Sequence, residues 1–159
     1  MTEVEFSRLL SDLSDAAQKL NRESDSLNET ITACEAMLLE LNPGLEVWLD
    51  HDPLESVAWI ESGGEGLERG TEATELGLTE LYGKWGLVLR EVRYETRDAH
   101  TNSTTHPRLY EVLGTKRLLD ASRKERIEAL KRLPQLVAAM KDGADAALKA
   151  IEAAKKLVK

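Results

Sequence analysis

The sequence predicts an α+β protein in which two helical segments flank an antiparallel sheet. Three observations lead to this fold class. An apolar repeat with alternating spacings of three and four residues opens the 159-residue chain, a second repeat of the same kind closes it, and the segment between them alternates apolar and polar residues. Because helices bury a stripe of period 3.6 and half-buried strands one of period 2, the predicted order is helix, sheet, helices.

The first element is a long helix predicted over residues 4–41. Asn42, Pro43 and Gly44 end it, because proline and glycine cannot continue a helix. The 3–4 spacing is that of a coiled-coil seam and predicts packing against another helix along the whole length. The stripe consists of Phe6, Leu10, Leu13, Ala17, Leu20, Ser24, Leu27, Ile31, Cys34, Leu38 and Leu41. Cys34 lies within it, where a free cysteine usually acts as a small buried apolar residue.

A four-stranded antiparallel β-meander is predicted over residues 45–97. In its first strand Leu45, Val47 and Leu49 alternate with polar residues and Trp48. The strands are predicted at 45–50, at 56–62 and, as a hairpin, at 74–95. Gly83 and Lys84 provide a two-residue turn for that hairpin. Residues 98–107 are predicted to form a polar loop.

The last element is a helical segment predicted over residues 116–158 that packs with the first helix. Pro134 interrupts its repeat and either kinks the helix or begins a second one. The stripe consists of Leu130, Leu133, Val137, Met140, Ala144, Ala147, Ile151, Ala154 and Val158. Two seams of one period pack on each other or on copies of themselves. We expect a homo-oligomer, a dimer in the simplest case, because seams of this length are buried best by more than one chain.

Arg126 lies in the middle of the apolar face of the last helical segment, with Arg123 at its edge. In the first helix the seam becomes polar at Ser24, and Asn21 and Asn28 lie on the same side. If the helices pack together, these two polar regions can meet. One interpretation is a polar layer that fixes the helix register. The other is a pocket for a carboxylate or a phosphate, lined by Arg126, Arg123, Ser122, Asn21, Ser24 and Asn28.

Two aromatic residues of the sheet are candidates for a partner surface. Trp48 shares a strand face with Glu46 and Asp50, opposite the apolar residues of that strand. Trp48 and Tyr94 together could form an aromatic patch for a partner or a second subunit. The alternative is that Trp48 lies flat on the sheet beneath a loop.

Residue patterns that carry catalytic or cofactor chemistry are missing from the sequence. The glycine-rich stretch 61–70 has no dinucleotide or P-loop spacing and suits a loop between strands. His51, between Asp50 and Asp52, and the pair His100 and His106 do not have the spacing of a zinc site. No nucleophile elbow is present. We therefore expect no cofactor, no metal and no catalytic residue.

Composition restricts the class of protein. With 42% hydrophobic and 31% charged residues the chain is expected to fold as a soluble protein, and it has no apolar run long enough for a membrane span. Its single cysteine and polar start suit a cytoplasmic protein. Residues 1–83 hold 4 basic and 19 acidic residues, and residues 84–159 hold 17 basic and 10 acidic ones. If the acidic and the basic half pack together, their charges neutralise each other. Nucleic-acid binding is then disfavoured, because phosphate contacts need basic side chains that are not already paired.

The sequence therefore favours a non-catalytic intracellular interaction or adaptor protein. It is expected to self-associate through its helical seams and to bind a macromolecular partner, most simply a protein. The alternative is a small-molecule anion-binding protein, or an enzyme, with a pocket around Arg126. An unpaired Arg126 in a concave pocket favours the alternative, and an exposed apolar surface favours the interaction protein.

Overall fold

The computed structural model describes residues 2–41, 44–63, 66–95 and 108–157. It has the predicted α+β architecture, in which a long N-terminal helix, an antiparallel sheet and a C-terminal helix follow one another and both helices contact the sheet. The elements are α1 (Glu3–Leu41), β1 (Val47–Trp48), β2 (Glu55–Gly63), β3 (Gly66–Leu81), β4 (Lys84–Glu95), β5 (Arg108–Arg117), a 3₁₀ turn (Leu118–Asp120) and α2 (Arg123–Leu157).

The sheet is built around the long strand β3. One edge of β3 pairs first with β2 and then, nearer its end, with β1, so these two strands share one neighbour. The other edge of β3 pairs with β4, and β4 pairs with β5. All pairs are antiparallel. The glycine-rich stretch that was expected to be a loop contributes to the strand ends of β2 and β3, outside residues 64–65, which the structure does not describe.

The hairpin between β3 and β4 turns one residue earlier than predicted. Its two turn residues are Tyr82 and Gly83, with φ angles of 52° and 75°, whereas Lys84 already belongs to β4. Two successive positive φ angles are typical of a type I′ turn. Tyrosine is unusual at such a position. The sequence therefore indicated Gly83 as the first turn residue, and the predicted turn was one residue too late.

A fifth strand joins the predicted meander of four. Residues 116–117, predicted as the beginning of the helical segment, end β5, and α2 begins only at Arg123. Strand β5 is an edge strand in which Leu109, Val112 and Leu113 are each more than two-fifths exposed. It therefore lacks the buried alternating stripe that identifies a strand in a sequence. The predicted loop at 98–107 lies outside the described residues.

The core lies between the sheet and the two helices. Leu76 and Leu78 of β3 and Leu87 and Leu89 of β4 are buried on it, and they alternate with residues of the other sheet face. The helices contribute Ile31, Leu38, Ala129, Leu136 and Met140 to the same cluster. Full burial of a leucine or isoleucine side chain stabilises the fold by about 1.5–3 kcal/mol, so this cluster fixes how the helices lie on the sheet.

Pro134 lies inside α2, which continues on both sides of it from Arg123 to Leu157. Of the two alternatives that the sequence left open, a kink or a new helix at Pro134, the second is therefore wrong for this described segment. Proline lacks an N–H group, so the carbonyl of Leu130 loses its usual hydrogen bond within the helix.

Candidate interaction surface

The two helices meet through the polar residues that the sequence singled out. The Arg126 guanidinium donates a hydrogen bond to the Asn28 side-chain oxygen, and Arg123 Nε donates one to Ser24 Oγ at 3.1 Å. Both contacts join the middle of α1 to the first turns of α2. Since the residue numbers rise together along the two helices, α1 and α2 run parallel where they touch.

Arg126 is held by a neutral partner and not by a carboxylate. Within the described part of the chain, no Asp or Glu oxygen lies within 4.0 Å of its guanidinium, and its Nε is buried without a hydrogen-bond partner. Withdrawing part of a guanidinium from water without a counter-charge is costly, and Arg126 is partly buried. This arrangement allows either a register-fixing polar layer or attraction of an anion.

Two of the six predicted site residues do not join this polar layer. Ser122 immediately precedes α2 and caps it: its N–H donates to Glu125 Oε2 at 2.8 Å, and its hydroxyl accepts the Glu125 N–H at 3.3 Å. This is a capping box, which satisfies backbone donors at a helix start. Asn21 is exposed on α1. The layer therefore consists of Ser24, Asn28, Arg123 and Arg126.

An apolar groove of about 590 Å³ continues from the polar layer along the two helices. Its centre is formed by Cys34 and Leu38 of α1 and by Leu133 and Val137 of α2. Met37 and Leu41, which also line it, are 64% and 76% exposed. The helices thus meet along this groove without closing it.

The predicted packing of the α1 seam along its whole length is wrong for a single chain. Every described residue of α1 from 3 to 23 is exposed, and we call residues 3–23 the projecting segment of α1. Within it Phe6, Leu10 and Leu13 are 50%, 50% and 64% exposed. Cys34 and Leu41, which line the groove, continue the same seam at heptad spacing. Apart from the polar positions Ser24 and Asn28, the apolar stripe therefore extends from the groove to the start of α1.

The end of α2 is exposed in the same way. All residues from 148 to 157 are exposed, and we call them the projecting segment of α2. Leu148 and Ile151 are 58% and 51% exposed. Because the helices run parallel, the two projecting segments extend from opposite ends of the packed region. A single chain therefore has an exposed apolar surface at each end of the groove.

Trp48 and Tyr94, predicted as a partner surface, both belong to a cluster around Glu75. Glu75 is fully buried and lies 2.8 Å from Arg90 Nε, and the Tyr94 hydroxyl donates a hydrogen bond to its carboxylate. The Arg90 guanidinium lies 4.1 Å from the centre of the Trp48 ring. The cluster joins β1, β3 and β4 on one sheet face.

The chemistry of this cluster suits structure better than catalysis. Burial and the hydrogen bond to the Glu75 carboxylate both raise the pKa of Tyr94, so its hydroxyl stays protonated as a donor. Glu75 was not singled out from the sequence. The alternation in β3 could have identified it: Glu75 and Thr79 alternate with the buried Leu76 and Leu78 and therefore lie on the other face of the strand.

The metal candidates gain no support. His51 Nε2 lies 3.4 Å from Asp50 and is almost fully exposed, while His100 and His106 lie outside the described residues. Searched over the described residues, the chain has no group of three His, Cys, Asp or Glu side chains that could hold a metal ion.

Exposed apolar side chains also lie on the two outer strands of the sheet. They are Val57 and Ile60 on β2 and Leu109, Val112 and Leu113 on β5, each more than two-fifths exposed. Strands β2 and β5 lie at opposite edges of the sheet, separated by β3 and β4.

Comparisons with known proteins add no relative: no protein-family model, no curated protein and no solved structure matches this chain. In the segments that the structure describes, neither helix has an apolar stretch that could cross a bilayer.

Proposed function

We propose that this chain is a non-catalytic interaction protein that self-associates through its two helices. The observation that carries the proposal is the long apolar stripe of α1, which is buried at Ile31 and Leu38 and half-exposed at Leu10, Leu13 and Leu20. A contiguous exposed apolar surface of this kind typically marks a protein–protein interface. The first partner that this surface suits is a second copy of the chain.

The energetic argument follows from the exposed area. Apolar surface removed from water contributes about 25 cal/mol per Å², and a stable interface covers about 800 Å² on each partner. The helical surface extends from the start of α1 through the groove to the end of α2 and is about 80 Å long. Because a helix is about 10 Å wide, this strip covers about 800 Å². A second copy can therefore be held by the helices alone.

The exposed apolar residues of the outer strands provide the surface through which such an assembly would bind a different macromolecule. Val57 and Ile60 lie on β2 and Val112 lies on β5, so self-association through the helices leaves them accessible. This division assigns the helices to assembly and the outer strands to a partner of another kind.

The test is a mass measurement in solution by light scattering after size-exclusion chromatography. The wild-type chain is expected at twice its 17.7 kDa mass. Leu13→Glu places a charge in the stripe and is expected to give a monomer with unchanged helical circular dichroism. The matched control is Ser11→Glu, which places the same charge on the polar side of the same helix and should leave the mass doubled.

Two results would contradict the proposal. A wild-type chain that stays monomeric up to about 100 μM, well above the Kd range of specific interfaces, would exclude functional self-association. A doubled mass that Leu13→Glu leaves intact would show that the helical stripe is not the contact surface.

A second candidate function, anion binding, is favoured by the Arg126 guanidinium, whose Nε is buried without a hydrogen-bond partner and which has no carboxylate within 4.0 Å in the described part of the chain. Inorganic phosphate is the simplest probe. If Arg126 binds an anion, phosphate is expected to raise the Tm of the wild-type chain and of Arg22→Met, an exposed control, but not the Tm of Arg126→Met. Equal shifts in all three proteins would reflect a general salt effect and would reject this candidate.

A further inference from the structure

We infer that the second copy packs side by side with the first and antiparallel to it, so that the projecting segment of α1 in each chain lies along the end of α2 in the other. This inference rests on the proposed self-association and specifies its geometry. The argument has three steps: the axial offset of the helices within one chain, the residues that a two-fold axis then brings together, and the charges at the helix ends.

The offset is fixed by the polar layer. Arg123 lies beside Ser24 and Arg126 beside Asn28, so a residue of α1 is level with the residue 98 or 99 positions later in α2. The start of α1 therefore extends beyond the start of α2, and the end of α2 extends beyond the end of α1. With a two-fold axis perpendicular to the helices, the free end of each helix comes to lie beside the free end of the other kind.

The same offset predicts which residues meet. When the axis passes through the middle of the helix layer, near the level of Ile31 in α1, residue numbers that meet across the interface add up to about 161. Leu10 then lies beside Ile151 of the second copy, and Leu13 lies near its Leu148. These four side chains are each at least half-exposed in the single chain. Apolar residues thus face apolar residues without any adjustment of register.

Small residues on α2 allow the helices to approach closely. Ala144, Ala147 and Ala154 occupy the seam of α2, whereas Leu10, Leu13 and Leu20 occupy that of α1. Ala147 and Ala154 flank Ile151 on this seam, so Leu10 can pack beside Ile151 in the space that the small residues leave, a packing that favours close helix contacts.

Charge supports the same pairing. Glu3 and Glu5 lie in the first turn of α1, and Lys155 and Lys156 lie in the last turn of α2. The antiparallel arrangement brings these turns together. Over their full lengths α1 has nine acidic and three basic residues and α2 has nine basic and five acidic ones. Pairing of α1 with α1 would place like charges side by side, so pairing of α1 with α2 is electrostatically preferred.

Cysteine cross-linking tests the geometry in a Cys34→Ser background. The variant with both Leu10→Cys and Ile151→Cys is expected to form a disulfide-linked dimer under mild oxidation, because the two positions face each other across the interface. Leu10→Cys alone should not cross-link, since the two copies of this residue lie at opposite ends of the assembly. The matched control is Asp15→Cys with Lys149→Cys, a pair at similar height on the outer faces, which should stay unlinked.

The outcomes separate this inference from the proposed function. Efficient cross-linking by Leu10→Cys alone, or a dimer mass with no link in the double variant, would overturn the antiparallel α1–α2 pairing and leave self-association intact. A monomer mass for the Cys34→Ser parent and the wild-type chain would overturn both. A further check is charge reversal: Glu3→Lys with Glu5→Lys should weaken the dimer at least tenfold at low salt, and adding Lys155→Glu with Lys156→Glu should restore it.

Discussion

The carboxylate of Glu35, in α1, accepts a hydrogen bond from the backbone N–H of Leu87 at 2.7 Å. Leu87 lies one residue before Val88, the first residue of β4 that pairs with β5. Its N–H therefore points towards the side of β4 on which β5 has already ended. Glu35 replaces the missing strand at this point and holds α1 against the edge of β4.

Removing this carboxylate is expected to destabilise the fold. Glu35→Ala leaves the N–H of Leu87 without its partner in a part-buried position, at a cost of about 1–3 kcal/mol in the free energy of unfolding. Glu35→Gln keeps an acceptor oxygen and should cost less than half as much. Urea unfolding measures both, and amide hydrogen exchange should accelerate at Leu87. Equal stability of Glu35→Ala and the wild-type chain would contradict this role.

Gly77 and Gly114 are expected to differ sharply in their tolerance of a methyl group. A Cβ atom at Gly77 would lie 2.3 Å from Cε3 of Trp48, whereas at Gly114 it would meet nothing within 4 Å. Gly77→Ala must displace the Trp48 ring from the Glu75 cluster and should cost about 1–3 kcal/mol. Gly114→Ala, in strand β5, should be neutral or slightly stabilising. Urea unfolding followed by tryptophan fluorescence compares the two.

The contact between Arg126 and Asn28 is expected to appear as an energetic coupling. In a double-mutant cycle of Arg126→Met and Asn28→Ala, the two changes together should cost about 1 kcal/mol less than their sum. Arg123→Met with Ser24→Ala provides a parallel cycle at the neighbouring pair. Additive effects would show that the hydrogen bond contributes no stability. A clear rise in Tm for Arg126→Met would remove the interpretation of Arg126 as a register-fixing residue.

Replacing Pro134 is expected to stabilise α2. Pro134→Ala restores an N–H that can bond to the Leu130 carbonyl and relieves the clash of the proline ring with that carbonyl, a gain of up to about 3 kcal/mol. The gain is reduced by about 0.4–1 kcal/mol because the unfolded chain becomes more flexible. Thermal unfolding should show the rise, with Gln135→Ala as the exposed control. A lower Tm would mean that the shape Pro134 gives to α2 is needed by the groove.

Stability is expected to fall in acid through Glu125. Burial opposes ionisation of Glu125, but hydrogen bonds from Lys116 and from Ser122 outweigh it and lower its pKa below the ordinary value of 4.5. A carboxyl group whose folded pKa is depressed stabilises the fold above its unfolded pKa and loses that contribution as the pH falls through the folded value. The wild-type chain should exceed Glu125→Gln by about 1 kcal/mol near pH 7.

That advantage should shrink as the pH falls below the ordinary value of 4.5 and vanish once the pH is well below the depressed pKa of the folded state. Urea unfolding at a series of pH values measures the difference, with Glu152→Gln as a control on the same helix. An advantage that stays constant down to the lowest pH would show that the Glu125 charge contributes nothing.

Much of the fold followed from local patterns in the sequence. The bounds of α1 were predicted within one residue, because an unbroken apolar stripe and a Pro-Gly stop define a helix without reference to its surroundings. Strand β5 was missed because a strand with a single neighbour and exposed apolar side chains has no buried face to give it a period. The hairpin turn was misplaced by one residue because Tyr82 adopts a conformation that its side chain disfavours.

The polar layer was predictable only in part. The sequence identified Ser24, Asn28, Arg123 and Arg126 because each is polar within or beside an apolar stripe. It could not give the direction in which the helices run, since a stripe packs equally well parallel or antiparallel until the sheet fixes the connection. Ser122 was assigned to a pocket, although its position three residues before Glu125 is also that of a capping box.

The parallel helix pair also determines the order in which the chain can fold. Ser24 and Arg123 are 99 residues apart, so their contact closes a loop at an entropic cost of about 4 kcal/mol unless the sheet forms first. During synthesis α1 is complete for about 5–20 s before α2 follows it, at about 5–20 residues per second. Throughout that interval the apolar stripe of α1 has no partner in its own chain. Premature association between nascent chains is therefore the reaction that competes with correct folding, and α1 is the segment that a chaperone would have to cover.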